Sequence, residues 1–144
     1  MKSLIIKDKL KSPYFDNGRT FFNTRKKSGV YLIYSGNILK YVGFSGSDVY
    51  KAMYRHFQSW KDKNQIRITY NPDSVKVRVI YCNNSTTAAR LEKALIINKK
   101  PTDNPQQYWL KYDTDANEDK IYNIYNNTEV TPIHTNADIK DLPF

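Results

Sequence analysis

The sequence predicts an α/β (α+β) fold in which a central, mainly antiparallel β-sheet is flanked by helices, in the order β-β-α-β-α. Three observations predict it. Two segments rich in β-branched and aromatic residues flank a turn, an alternating segment lies further along the chain, and two other segments carry apolar residues at helical spacing. The chain has 144 residues, of which 40% are hydrophobic, which is enough for one core.

The first two strands are predicted to form a hairpin. Residues 29–34 and 38–43 consist largely of valine, isoleucine, leucine and tyrosine, which favour strands. Ser35, Gly36 and Asn37 lie between them and are typical of turns. We therefore expect these two segments to pair antiparallel through a short connection.

A helix is predicted over about 48–62, because the residues after the hairpin begin with a capping signal and continue at helical spacing. Asp48 is a suitable N-cap side chain. The apolar residues that share one face of this helix are Val49, Met53, Phe57 and Trp60.

The second half of the predicted core consists of a strand and a helix. Valine alternates with other residues over 75–80, the period of a half-buried strand, and a weaker strand candidate over 66–70 precedes it. Asn84 opens a capping segment for a second helix over about 87–99, which Pro101 stops.

Charge divides the chain into three regions. Residues 1–28 carry eight basic and two acidic side chains, residues 29–104 carry twelve and five, and residues 105–144 carry three and seven. We expect a basic N-terminal arm, a core over 29–104, and an acidic C-terminal extension packed on the core. A formal net charge of +9 with interleaved aromatic residues favours a nucleic acid partner, although charge does not identify a fold.

Composition excludes several kinds of site. The single cysteine, Cys82, cannot form an internal disulfide or by itself supply a structural zinc site, and we interpret it as a core residue.

No apolar stretch has signal-peptide or membrane-spanning length, so we expect a cytoplasmic protein without a membrane partner. The acidic run over 113–119 lacks the glycine and glutamate of a calcium loop and is interpreted as a solvated turn. His134 is interpreted as a surface residue.

One charged residue lies within the apolar face of the second predicted helix. At about 100° per residue, Glu92 falls between Leu95 and Ile96. No lysine or arginine lies three or four positions away on the same helix, so a core-facing carboxylate needs a cation or hydrogen bonds from elsewhere. The alternatives are a glutamate at the edge of the face that turns to solvent, or one that pairs with a lysine of a strand.

Four blocks of the chain, in order, resemble the GIY-YIG endonuclease superfamily. Two tripeptides stand ten residues apart on the paired strands, a histidine follows on the next helix, and a glutamate-bearing helix is closed by proline and asparagine. The residues are Gly29, Val30 and Tyr31; Tyr41, Val42 and Gly43; Arg55, His56 and Phe57; and Glu92, Pro101 and Asn104 within 87–104.

The resemblance implies a metal-dependent endonuclease that hydrolyses phosphodiester bonds in DNA. One Mg²⁺ (or Mn²⁺) per active site would be held by Glu92, and would polarise the phosphate and stabilise the leaving 3′ oxygen. Tyr31 would activate the attacking water, which for a phenol requires nearby positive charge, and Tyr41 would orient the water or hydrogen-bond the phosphate. Asn104 would hold the metal site or its loop. The alternatives are ordinary core tyrosines and an ordinary turn asparagine.

The cationic role is where the sequence departs from the family's pattern. Ala52 stands where many members carry an arginine that stabilises the pentacovalent phosphate. Arg55, about one turn further on, is expected to supply a guanidinium to the same phosphate, and Lys51 is the second candidate. His56 lies beside the apolar face and is either a proton shuttle or phosphate donor, or a core histidine.

Basic side chains are expected to grip the phosphates of nucleic acid, which positions a duplex without reading its bases. The candidates are Lys26, Lys27, Lys51 and Lys61. An alternative function is a catalytically degenerate nucleic-acid-binding module, which Ala52 favours, and a third is an interaction scaffold.

Overall fold

A computed structural model of the chain describes residues 4–13, 27–57, 68–104, 120–133, 138 and 141–144. Within these residues the chain forms one sheet of four strands in the order β1-β4-β2-β3, in which all neighbours are antiparallel, together with three helices. The predicted α+β class is confirmed. The strands are β1 Ile5–Lys7, β2 Gly29–Ser35, β3 Ile38–Ser45 and β4 Lys76–Cys82, and the helices are α1 Val49–Tyr54, α2 Ser85–Lys99 and α3 Lys120–Asn127.

The β2–β3 hairpin forms as predicted. Its connection contains Gly36 with φ of 58°, a left-handed conformation that glycine adopts without the steric cost of a Cβ. The pairing places Tyr31 opposite Gly43 and Leu32 opposite Val42. This register decides which side chains of the two tripeptides meet.

The sheet is covered on both faces. In β2, Tyr31 and Ile33 point to the face covered by α1, whereas Val30 and Leu32 point to the face covered by α2 and α3. Among the described elements no helix is long and apolar enough to cross a membrane.

Helix α1 is shorter than the predicted helix. It begins after Asp48, whose carboxylate accepts a hydrogen bond from the Lys51 amide, but α-helical geometry ends at Tyr54 and a 3₁₀ turn over Arg55–Phe57 follows. The Tyr70 amide donates to the His56 carbonyl at 2.6 Å, which gives that carbonyl a partner outside a helix. The predicted residues beyond Phe57 lie outside the described ranges.

Helix α2 begins two residues earlier than predicted. The Asn84 side chain accepts from the Thr87 amide at 2.8 Å and caps it, and Lys100 ends it in a left-handed conformation before Pro101. Cys82 is buried at the end of β4, as predicted for a core residue. Burial raises the pKa of its thiol to about 12, so the thiol stays protonated.

Strand β1 is an element that the sequence patterns did not indicate. It lies within the segment expected to be a basic arm, and it pairs with β4 through Ile5–Cys82, Ile6–Tyr81 and Lys7–Ile80. The weaker strand candidate over 66–70 does not form a strand over its described residues, 68–70.

Candidate active site

Tyr31 and His56 form a buried hydrogen-bonded pair on the α1 face. Strand β2 directs Tyr31 towards the 3₁₀ turn, and its Oη lies 2.8 Å from His56 Nε2. His56 Nδ1 lies 2.8 Å from the Ile68 carbonyl oxygen. A carbonyl only accepts, so Nδ1 carries the proton of a neutral ring and Nε2 has a lone pair. Tyr31 therefore donates its hydroxyl proton to His56.

Two further tyrosines surround this pair. The Tyr41 ring lies 4.6 Å from the His56 ring and 6.1 Å from the Tyr31 ring, nearly parallel to the latter at 24°. The Tyr70 ring lies 6.1 Å from His56. Tyr41 is half-buried, whereas Tyr31 is 4% exposed. Tyr41 is thus the member of the stacked pair that presents more of its surface to a substrate.

The glycine of the second tripeptide makes room for Tyr31. A Cβ on Gly43 would overlap the Tyr31 hydroxyl and ring, because Tyr31 lies directly across from Gly43 in the hairpin. A glycine at this position lets the tyrosine cross β3 towards His56. The spacing of the two tripeptides thus has a steric cause in this chain.

Tyr70 and Asp103 were not among the residues singled out from the sequence. The Tyr70 hydroxyl donates to Asp103 Oδ2 at 2.7 Å, and burial, followed by this hydrogen bond, raises the pKa of Tyr70 above its ordinary value. The phenol therefore stays protonated and anchors residues 68–70, which include the Ile68 carbonyl. The contact spans 33 residues of chain, so no local pattern reveals it.

Asn104 holds strand β3 by its backbone. Its Oδ1 accepts from the Val42 amide and its Nδ2 donates to the Val42 carbonyl, both at 2.9 Å, and both residues are buried. Val42 lies between Tyr41 and Gly43, so Asn104 fixes the strand that carries both. The amide thus holds a strand; the predicted role of Asn104 in holding the metal site or its loop stays a prediction.

We expect Asn104→Ala to lower the free energy of unfolding by about 2–4 kcal/mol, because a buried donor and a buried acceptor on Val42 each lose their partner. Urea denaturation measures the change. The control is Asn98→Ala, which removes a single amide hydrogen bond to the Ala94 carbonyl on the exposed side of α2 and should change stability by less than about 0.5 kcal/mol. Equal losses in the two variants would contradict this role of Asn104.

Glu92 lies on α2 and is 5% exposed, so it does not turn to solvent. The helix begins where Ser85 approaches Gly46 at the end of β3. The segment that follows the helix donates backbone hydrogen bonds to Leu39 and Lys40 at the start of β3. Helix α2 thus runs alongside β3, and Glu92, near its middle, lies beside the middle of that strand.

The donor set suits a hard divalent cation with few protein ligands. In the described part of the chain, no group of three or more His, Cys, Asp or Glu side chains could hold a metal ion. Mg²⁺, however, commonly keeps several waters and binds one or two carboxylates together with substrate phosphate oxygens. A buried carboxylate such as Glu92 fits that mode of binding.

The predicted cationic residues occupy different environments. Ala52 is partly buried against the core of the α1 face, Arg55 is partly exposed in the 3₁₀ turn next to His56, and Lys51 is exposed. Lys27 is 5% exposed and its Nζ lies 5.4 Å from the centre of the Phe144 ring. Lys26 and Lys61 lie outside the described ranges. Contacts of these lysines with nucleic acid stay predictions.

Comparison with known proteins gives one family match. No curated protein and no solved structure matches the chain significantly. The family model of the GIY-YIG catalytic domain matches residues 27–108, more than half of the chain. The match contains the hairpin, α1, β4 and α2, together with Tyr31, Tyr41, Arg55, His56, Glu92 and Asn104. The predicted resemblance is confirmed: the chain belongs to the GIY-YIG family, whose domains are nucleases that act on nucleic acids.

Proposed function

We propose that the chain is a metal-dependent endonuclease that hydrolyses phosphodiester bonds in DNA, with Tyr31 as the group that takes a proton from the attacking water. The observation that carries the proposal is the position of His56 between the Ile68 carbonyl at Nδ1 and the Tyr31 hydroxyl at Nε2, from which we infer that Tyr31 donates to His56. A hydroxyl that already donates to a buried base can accept a proton from water as it gives up its own.

The step is a proton relay. A proton of the water moves to Tyr31 Oη while the Tyr31 proton moves to His56 Nε2, so that the phenol ends the step neutral and the imidazole becomes a cation. The Ile68 carbonyl keeps its hydrogen bond to Nδ1 in both states of the ring. The hydroxide bonds to phosphorus, the bond from phosphorus to the leaving 3′ oxygen breaks, and that oxygen takes a proton from solvent. The proton held by His56 returns to solvent before the next turnover.

Three further side chains would stabilise the negative charge on the phosphate. Glu92 would hold Mg²⁺ (or Mn²⁺), which when bound polarises the phosphate and stabilises the leaving 3′ oxygen. Arg55 precedes His56 in the same turn and would direct a guanidinium to the phosphate in place of the arginine absent at Ala52. Tyr41 would donate its hydroxyl to the phosphate or to the attacking water.

A binding module without turnover is the second candidate. Ala52 favours it, since its partly buried methyl group supplies no cation to a phosphate. The hydrogen-bonded pair of Tyr31 and His56 favours the enzyme, because binding alone does not require a tyrosine that donates to a base. The basic character of the chain suits either function.

The test is incubation of purified protein with supercoiled plasmid, with Mg²⁺ or with EDTA, beside single-stranded DNA, a four-way DNA junction and an RNA hairpin. We expect Mg²⁺-dependent nicking or cleavage of at least one DNA substrate and none in EDTA. Binding to DNA in a mobility-shift assay without cleavage of any substrate would favour the module. Cleavage of RNA alone would contradict the DNA substrate.

A further inference from the structure

Three cationic side chains converge on Tyr125, on the sheet face opposite Tyr31 and His56. Lys7 of β1 donates from Nζ to the Tyr125 carbonyl at 2.9 Å, and the same Nζ lies 4.4 Å from the centre of the Tyr125 ring. Lys99, the last residue of α2, places its Nζ 6.0 Å from that ring centre. Arg78 of β4 points Nη1 at the Tyr125 hydroxyl at 3.5 Å.

This cation cluster, formed by Lys7, Arg78 and Lys99, has no carboxylate partner among the described residues. Within the described ranges, no carboxylate lies at salt-bridge distance from any of the three, whereas Lys11 is paired with Asp8 at 2.7 Å. Burial, and then the charges of Arg78 and Lys99, lower the pKa of Lys7. Like charges gathered without a counterion repel one another, so the arrangement is favoured once an anion enters.

Arg78 supplies the second observation. Its Nε is buried and has no hydrogen-bond partner within the described ranges, and its contact through Nη1 is at the long limit of a hydrogen bond. Buried donors in folded proteins are nearly always paired, so a guanidinium donor with no acceptor among the described residues is available to an acceptor from outside them. A guanidinium matches the oxygens of a phosphate in two parallel hydrogen bonds.

We propose that the cation cluster is a second, non-catalytic anion site whose ligand is a phosphate group, bound by Arg78 and Lys99 with Lys7 beneath them. Lys7 is 8% exposed and hydrogen-bonded to Tyr125, so its positive charge attracts the anion from the protein interior. Lys99 is exposed and can contact the anion directly. Lys7 lies on β1 and Arg78 on its neighbour β4, whereas Glu92 lies beside β3 at the other edge of the sheet, so the ligand is not the scissile phosphate. The proposal stands whether or not the chain cuts DNA.

The test is a titration of the uniformly ¹⁵N-labelled full chain with pyrophosphate at low salt in EDTA, so that no cleavage occurs. The readout is the Nε–Hε signal of Arg78, assigned by its loss in Arg78→Lys. We expect a saturable shift of this signal. Lys99→Gln, at an exposed position, should weaken binding roughly tenfold, whereas the control Lys100→Gln, which removes the same charge next to it, should change it by less than about twofold.

A second titration with a short DNA duplex identifies the source of the phosphate. If the duplex shifts the Arg78 signal and pyrophosphate competes with it, the site takes the nucleic acid backbone. If pyrophosphate alone shifts the signal, the site takes a free phosphorylated compound. The proposal is overturned if neither probe gives a saturable shift, or if Lys99→Gln and Lys100→Gln weaken binding equally, which would show general charge attraction.

Discussion

Replacement of Tyr31 by phenylalanine is expected to slow single-turnover cleavage by about 10²- to 10⁴-fold, the range that general acid–base groups contribute. The change removes the hydroxyl that donates to His56 Nε2 and leaves the ring above Gly43 in place. The affinity for DNA in EDTA should stay within about twofold of that of the unmodified chain, because Tyr31 transfers a proton and carries no charge that attracts DNA. The measurement is the cleavage rate of plasmid at saturating protein.

The control for this prediction is Tyr81→Phe. Tyr81 is a buried tyrosine on the same face of the sheet, and its hydroxyl pairs with Tyr50. Each variant loses one buried hydrogen bond, so both should lose about 1–2 kcal/mol of stability. Only Tyr31→Phe should slow the cleavage of plasmid. Equal rates in the two variants would rule out Tyr31 as the proton acceptor.

Replacement of Glu92 by glutamine is expected to reduce Mg²⁺-dependent cleavage by at least about a hundredfold. Metal charge on a phosphate is worth several kcal/mol in the transition state, and about 1.4 kcal/mol corresponds to a factor of ten. Glutamine keeps the shape of the buried side chain and removes the negative charge that would hold the cation. The cleavage rate as a function of Mg²⁺ concentration measures the effect.

Glu129→Gln is the matched control, since it makes the same chemical change at an exposed position after α3. It should cleave like the unmodified chain. Electron paramagnetic resonance of added Mn²⁺ gives a readout independent of cleavage: one bound ion is expected in the unmodified chain and in Glu129→Gln, and none at the same concentration in Glu92→Gln. Unchanged Mn²⁺ binding in Glu92→Gln would exclude Glu92 as the ligand.

Local patterns predicted the hairpin and α2, because each depends on residues close together in the chain. They placed Glu92 within the apolar face of α2 but left open whether it turns to solvent. Turn residues between two strand-forming segments determine a hairpin, and helical spacing places Glu92 among apolar neighbours. The glycine of the second tripeptide also follows from neighbours in the hairpin, since Tyr31 and Gly43 are paired across it.

Contacts between distant segments were not predictable in this way. Strand β1 has three residues, too few for periodicity, and forms only because β4, more than 70 residues later, offers an edge. Asn104 binds Val42 across 62 residues, and the tautomer of His56 depends on the Ile68 carbonyl, which belongs to another segment. Local spacing placed His56 beside the apolar face and left it as a proton shuttle, a phosphate donor or a core histidine, and it could not give the direction of its hydrogen bonds.

The relay from Tyr31 to His56 is tested most directly by ¹⁵N NMR of the histidine rings at the pH of maximal cleavage. The chain has two histidines, His56 and His134, so His134→Gln leaves a single ring to observe. We expect the proton on Nδ1 and a hydrogen-bonded lone pair on Nε2, whose resonance shifts in Tyr31→Phe while that of Nδ1 stays in place. A proton on Nε2 would make Tyr31 the acceptor and contradict the relay.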